Sequence, residues 1–79
     1  MSAAAPSATA TWLIGLLAPH TPFGEAIVRR QAERIGKTLA TVEVADVPRM
    51  GPLIVVAAGV FLDPPALATV TAALRTRGG

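Results

Sequence analysis

The sequence predicts one small α/β domain, residues 11–77, whose strands and helices follow one another in the order β-α-β-β-α. Two short runs rich in Leu, Ile and Val are bounded by turn-forming residues, as in strands that are buried on both faces. A third segment alternates apolar and polar residues, which is typical of a half-exposed strand. Two further segments begin at a proline and repeat apolar residues at spacings of three and four, which predicts helices.

The first strand and the first helix are predicted in the N-terminal half. Residues 1–10 consist mostly of Ala, Ser, Thr and Pro without periodicity, and we expect a disordered leader there. The apolar run Thr11–Leu17 is the predicted first strand. Thr21 is the predicted N-cap of a helix that begins at the following proline and reaches about Leu39, and Gly36 offers an alternative, earlier end.

The remaining strands are predicted between residues 40 and 62. Val42 and Val44 alternate with polar residues and indicate a half-exposed strand over residues 40–47. The β-branched run 53–57 predicts a second buried strand, and Val60–Leu62 returns antiparallel to it as a hairpin. The alternative for this region is one long strand with a bulge at Gly59.

The last helix is predicted to begin at Asp63 and Pro64, an N-cap followed by a first helical residue. Gly78 and Gly79 end it as a flexible tail. The final residues, Leu74–Gly79, are similar to the end of ubiquitin and its bacterial sulfur-carrier relatives, whose terminal diglycine is activated by adenylation. That resemblance implies a modifier or sulfur carrier acting through Gly79, although those proteins place a strand before the tail.

The composition restricts the possible chemistry and indicates a partner. The 79 residues include no cysteine, which excludes disulfides, Cys-ligated metals and thiol redox chemistry, and we predict no cofactor and no metal. A chain with 52% hydrophobic and only 15% charged residues is apolar for its size, so we expect part of its surface to contact a protein partner or a second copy in a homodimer. The net charge of +2 is not that of a dedicated nucleic-acid binder.

The sequence predicts no transmembrane segment and no signal peptide. The longest uncharged run lies between Arg49 and Asp63 and is shorter than the roughly 20 residues that span a bilayer. The apolar run Trp12–Ala18 is not preceded by Lys or Arg, as a signal peptide would require. We therefore expect a cytoplasmic protein.

Few residues are candidates for a binding site, and none is predicted to be catalytic. His20, with its neighbours Thr21 and Phe23, lies between the first predicted strand and helix, where α/β folds often place functional groups. Arg30 and Arg34, continued by Lys37, form a basic stripe that could contact phosphate. The alternative interpretations are a loop histidine without chemistry and an ordinary solvated helix face, because one titratable group rarely makes a site.

Two stretches of the chain resemble the thioredoxin-like superfamily. Leu17–Phe23 stands where thioredoxins carry the Cys-containing loop between a buried strand and a helix. The second stretch is similar to the closing half of the thioredoxin-like [2Fe-2S] ferredoxins, and it consists of Gly51–Val56, Gly59–Phe61 and the prolines that follow. The resemblance implies a thioredoxin-like β-α-β-β(-β)-α sandwich, with a ferredoxin-like βαββα domain as the alternative. Since the family's cysteines are missing, neither electron transfer nor disulfide exchange is implied.

These observations favour a non-catalytic interaction or assembly module, either self-associating or a subunit of a larger complex. The first alternative is the diglycine-tailed modifier. The second is a small ligand-binding protein or enzyme centred on His20, which would need partners that the sequence does not identify.

Overall fold

The computed structural model describes residues 5–78, and within that range the chain is entirely helical. Its elements are α1 (Ala8–Leu17), α2 (Gly24–Arg34), a 3₁₀ turn (Val44–Asp46), α3 (Val47–Ala58) and α4 (Pro64–Gly78). No strand occurs among the described residues. The predicted α/β class is therefore wrong, both as the thioredoxin-like β-α-β-β(-β)-α sandwich and as the ferredoxin-like βαββα alternative.

Helix α1 occupies the segment that was predicted as the first buried strand. Its buried residues include Ala10, Leu13 and Leu17, which are spaced by three and four and so form one face of a helix. Leu and Ala dominate the segment, and both favour helices more than β-branched residues do. The Ser7 side chain accepts a hydrogen bond from the Ala10 backbone N–H at 3.1 Å and caps the helix. Because α1 begins at Ala8, it extends into the predicted leader, of which residues 1–4 lie outside the described residues.

Helix α3 replaces both the predicted Gly–Pro connection and the predicted strand 53–57. Its buried positions repeat at intervals of three and four, which is the period of a helix: Val47, Met50, Gly51, Ile54 and Ala58. Pro52 lies inside this helix, although proline has no N–H for the bond to residue 48. Tertiary packing of the apolar stripe outweighs that local cost and the β propensity of the Ile-Val-Val run.

Helix α2 confirms a helix in the region predicted, with different ends. Thr21 does not cap it, since the helix starts at Gly24 after Phe23. Its C-terminus is a Schellman motif: the Gly36 N–H donates to the Glu33 carbonyl, and the Lys37 N–H donates to the Ala32 carbonyl. Gly36 has a φ of 77°, a left-handed conformation that glycine adopts without strain. The earlier of the two predicted ends is therefore the observed one.

The segment predicted as an alternating strand, residues 40–47, is a loop followed by the 3₁₀ turn. Val42 is buried whereas Val44 is 47% exposed, although a strand would have placed both on one face. The loop is fastened to α1 by Ser7, whose hydroxyl donates to the Val42 carbonyl at 2.6 Å and whose N–H donates to the Leu39 carbonyl at 2.8 Å. These bonds satisfy loop carbonyls without a β ladder.

A tight turn, not a β-hairpin, connects α3 to α4. The backbone N–H groups of Phe61 and Leu62 both donate to the Ala58 carbonyl at 2.9 Å. Asp63 then caps α4 as predicted, because its carboxylate accepts from the Ala66 N–H at 3.0 Å. Gly78 is the last residue of α4, and Gly79 lies outside the described residues.

The helices share one apolar core. Thirteen buried side chains form it: Leu13, Leu17, Ile27, Val28, Ala32, Val42, Val47, Met50, Ile54, Ala58, Leu62, Val70 and Leu74. Helices α1 and α2 approach closely at Gly24, where a Cβ would lie 3.0 Å from the Leu17 Cβ. Within residues 5–78, no helix combines the length and hydropathy that a membrane crossing requires.

Candidate functional site

The contacts of His20 and Thr21 within the described residues do not complete a site. His20 is exposed in the turn after α1, where its backbone N–H donates to the Leu17 carbonyl at 2.9 Å. No side chain of the described residues forms a hydrogen bond or an ion pair with its imidazole. Thr21 is buried, and its hydroxyl accepts from the Phe23 N–H at 3.2 Å, so this group shapes the turn. The arrangement offers no nucleophile–base pair.

The three residues of the predicted basic stripe have different surroundings in the structure. Arg30 and Arg34 are exposed on α2, and neither forms an ion pair with a described residue. Lys37 lies beyond the end of the helix, and its ammonium group is 3.5 Å from the Asp46 carboxylate. The two arginines therefore form a solvated helix face, which is the alternative interpretation of the stripe.

Phe23, in contrast, is part of an exposed apolar surface. Its ring lies 5.0 Å from the ring of Phe61, measured between centroids, with an interplanar angle of 39°. Phe23 is 51% exposed, Phe61 is 49% exposed, and the neighbouring Val60 is 80% exposed. We call Phe23, Val60 and Phe61 the aromatic patch. Phe23 comes from the turn before α2, and the other two residues come from the turn between α3 and α4.

Phe61 and Val60 have no site role in the prediction from sequence. Val60–Leu62 is predicted there as the return strand of a hairpin, in which large apolar residues would be buried alternately. In the structure only Leu62 of these three is buried. The sequence feature that could have indicated this surface is the run of three large apolar residues between Gly59 and Asp63. Such a short segment also suits a turn in which two of the three are exposed.

A second apolar feature is a groove between α3 and α4 with a volume of about 640 Å³. We call it the α3–α4 groove. One wall comes from α3 and the other from α4, and the lining is apolar except for Thr71 and Arg75: Val47, Pro48, Gly51, Pro52, Val55, Thr71, Leu74 and Arg75. A shallower depression continues along α4 past Leu67 and Ala68 and shares Thr71 and Arg75 with the groove.

Arg75 is the charged residue of the α3–α4 groove. No carboxylate among residues 5–78 forms an ion pair with it, and no acidic residue lines the groove. Arg77, two residues further along α4, lies elsewhere: its guanidinium is 5.0 Å from the centroid of the Trp12 ring of α1. Both arginines are in the last turn of α4, where cations complement the helix dipole, but only Arg75 faces the groove.

The strongest electrostatic cluster is structural and surrounds Asp46. This carboxylate is 2% exposed and accepts from the Glu43 N–H and from the Arg49 guanidinium, each at 2.9 Å. The Glu43 hydrogen bond, with Arg49 and Lys37, lowers the pKa of Asp46 below its ordinary value, although burial acts in the opposite direction. The cluster joins the loop after α2 to the start of α3.

One buried polar group has no partner among the described residues. Gln31 on α2 is 3% exposed, and its Oε1 accepts no hydrogen bond from residues 5–78. Such a group costs free energy when it is buried. Gln31 lines neither the α3–α4 groove nor the depression beside it.

Residues 5–78 contain no cluster of three or more acidic or histidine side chains that could hold a metal ion. Comparison with protein-family models, with curated proteins and with solved structures found no match to this chain. The aromatic patch and the α3–α4 groove are therefore the candidate functional surfaces of the described residues.

Proposed function

We propose that this chain is a non-catalytic interaction or assembly module that associates with itself or joins a larger complex through the aromatic patch. The observation that carries the proposal is the contact between Phe23 and Phe61, with about half of each side chain still facing water. Aromatic residues are enriched in the buried centres of protein interfaces. The apolar composition of the whole chain supports the same proposal.

The energetic reason is the apolar area that the patch would remove from water. Covering the exposed half of one phenyl group buries roughly 100 Å², which corresponds to about 2–3 kcal/mol before the costs of association. The two rings already hold each other in place, so little side-chain entropy is lost when a partner covers them. Val60, the residue before Phe61, is 80% exposed and adds apolar surface to the same turn.

The experiment compares the full chain with Phe61→Ser and with the control Val44→Ser. Val44 has nearly the same exposed fraction as Phe61, 47% against 49%, but lies outside the patch. Sedimentation velocity is expected to show concentration-dependent association that Phe61→Ser weakens and Val44→Ser does not. For a partner that is another protein, a photo-crosslinking amino acid is introduced at position 61 while the chain is made in its producing cells. We expect covalent products with the partner from position 61 and none when the same amino acid is placed at position 44.

A chain that stays monomeric at all concentrations and gives no position-specific crosslink would contradict the proposal. Equal weakening by both serine variants would also contradict it, because association would then depend on general surface hydrophobicity. The diglycine modifier and the His20-centred enzyme or ligand-binding protein stay predictions. No contact of His20 within the described residues favours the second, and a helix leads into Gly78 where the modifiers have a strand.

A further inference from the structure

The α3–α4 groove has an apolar lining that suits the apolar stripe of another protein's helix. Its α3 wall covers residues 47–55, about 12 Å at a rise of 1.5 Å per residue, and its α4 wall covers residues 71–75, about 6 Å. Pro48, Pro52 and Val55 supply apolar side chains to that wall, and Gly51 supplies none. The position that a Cβ of Gly51 would take lies 3.9 Å from the Leu74 Cβ, so this buried glycine faces α4 and lets the two walls lie close together.

The groove favours a helix over an extended peptide. Its walls are helices, whose backbone N–H and C=O groups bond within the helix, so they offer no ladder to an added strand. An extended segment in an apolar groove would leave its own backbone groups unpaired, at a cost comparable to lost hydrogen bonds. A helix satisfies its backbone internally and presents an apolar stripe to the groove.

The charge of Arg75 determines what the docked helix carries beside its apolar stripe. A helix that covers Arg75 without a carboxylate would desolvate an unpaired guanidinium, which is unfavourable. A second copy of this chain docked by the same face would bring a second Arg75 and no acidic lining residue to meet it. The charge of Arg75 therefore disfavours a symmetric pair of copies joined by this groove and favours a different protein that brings a carboxylate to it.

We propose that the α3–α4 groove binds an amphipathic helix of another protein, whose apolar stripe fills the groove and whose Asp or Glu carboxylate pairs with Arg75. This inference rests on the proposed function, because it assumes that the chain is an interaction module, but it uses a surface other than the aromatic patch. Arg77 provides a matched control, since it occupies the same helix turn and contacts Trp12 instead of the groove.

The test uses the full chain and synthetic peptides of about 15 residues, long enough to form a helix in an Ala-rich background. Each peptide carries leucines at spacings of three and four and one glutamate, placed in turn at each position flanking the stripe, and each has a twin with glutamine instead. Binding is measured by fluorescence anisotropy, and the contact surface is mapped by amide chemical shifts of the labelled protein.

We expect at least one glutamate peptide to shift amides of α3 and α4. Replacement of its glutamate by glutamine, or Arg75→Gln in the protein, should each weaken binding about five- to tenfold, as for a partly desolvated ion pair. The two changes together should weaken it no further than either one alone. Arg77→Gln should bind like the wild-type protein.

The inference is overturned by any of four results. These are equal binding of glutamate and glutamine twins, equal weakening by Arg75→Gln and Arg77→Gln, amide shifts centred on Phe23 and Phe61, or no binding by any peptide. If crosslinks at position 61 still form in any of these cases, the chain is still an interaction module that acts through the aromatic patch, and only the groove proposal fails. If no such crosslinks form but peptides bind the groove, the aromatic-patch proposal fails and the groove proposal holds.

Discussion

The carboxylate of Asp46 joins three parts of the chain within a few ångströms. It accepts hydrogen bonds from the Glu43 N–H and the Arg49 guanidinium, and it forms an ion pair with the Lys37 ammonium group. The carboxylate itself is almost wholly buried. The carboxylate is buried, whereas the Arg49 and Lys37 side chains are 63% and 31% exposed, so the Asp46 charge is what holds the two cations at this place. Asp46 is therefore the residue at which a single protonation event affects the fold most directly.

We predict that acid destabilises the protein through Asp46. Because the folded-state pKa is lowered from its ordinary value of 3.8, the unfolded chain binds the proton more readily than the folded chain does. The contribution of Asp46 is therefore complete at neutral pH and is lost as the pH falls below about 4. Urea unfolding of wild type and Asp46→Asn should show a lower free energy of unfolding for the variant at neutral pH and a shallower loss in acid. The same acid dependence in both proteins would contradict this assignment.

Two glycines should respond oppositely to alanine. Gly15 lies within α1, and the position that an alanine methyl group would take has no atom within 4 Å, so Gly15→Ala should stabilise the protein by roughly 0.5–1 kcal/mol through helix propensity. Gly36 has a φ of 77° in the Schellman motif, so Gly36→Ala should destabilise it by about 1 kcal/mol. Thermal or chemical denaturation measures both changes. Equal effects of the two substitutions would contradict the placement of these residues.

Gln31 should be replaceable by an apolar residue of similar shape. Gln31→Met removes the oxygen that lacks a hydrogen-bond donor within residues 5–78 and keeps the length of the side chain. We expect a gain of about 1 kcal/mol in the free energy of unfolding, measured by chemical denaturation. Gln31→Ala serves as the control, since it removes the oxygen and also the packing. A loss of stability with Met as large as that with Ala would show that the amide is satisfied.

At the scale of elements, the starts of α1 and α4 show how a short side chain determines where a helix begins. Ser7 and Asp63 each accept a hydrogen bond from a backbone N–H three residues ahead. Ser7 also donates its hydroxyl to the Val42 carbonyl, which fastens the loop after α2 to the start of α1. Ser7 therefore stabilises both a helix start and the position of a loop, whereas Asp63 stabilises a helix start.

We predict that Ser7→Ala destabilises the protein more than Asp63→Ala does. The Asp63 variant loses one exposed cap, at about 1 kcal/mol. The Ser7 variant loses a cap of similar value and leaves the Val42 carbonyl without its hydroxyl donor, which adds about 1 kcal/mol or more. Chemical denaturation of both variants gives the comparison. A smaller effect at Ser7 would contradict the link between α1 and the loop.

The elements also show which parts of the fold the sequence could predict. Helix α4 and its Asp63 cap were predictable because capping is a local interaction, and the amphipathic middle of α2 was predictable from its charged face. Helices α1 and α3 were not, because nearly uncharged runs fit a buried strand and a buried helix equally well. The spacing of Val47, Met50 and Ile54 carried the helical signal, but Gly51 and Pro52 suggested a break instead.

At the scale of the whole molecule, the surfaces proposed to function arise from packing between distant segments. Phe23 and Phe61 belong to two different turns, and their contact follows only from how α2 and α3 pack. The sequence could therefore indicate Phe23 as a candidate and an apolar excess overall, but not the patch. The α3–α4 groove was unpredictable for the same reason, since one of its walls had been interpreted as a strand.

Both proposed surfaces depend on the helical state of the two apolar runs. Backbone chemical shifts of the full chain in solution test it residue by residue. The structure predicts helical Cα and carbonyl shifts across α1 and α3, including residues 11–17 and 53–57, with none of the reversed shifts of extended chain. Extended-chain shifts in either run would contradict the helical fold, and with it the aromatic patch, the α3–α4 groove and the functions proposed for them.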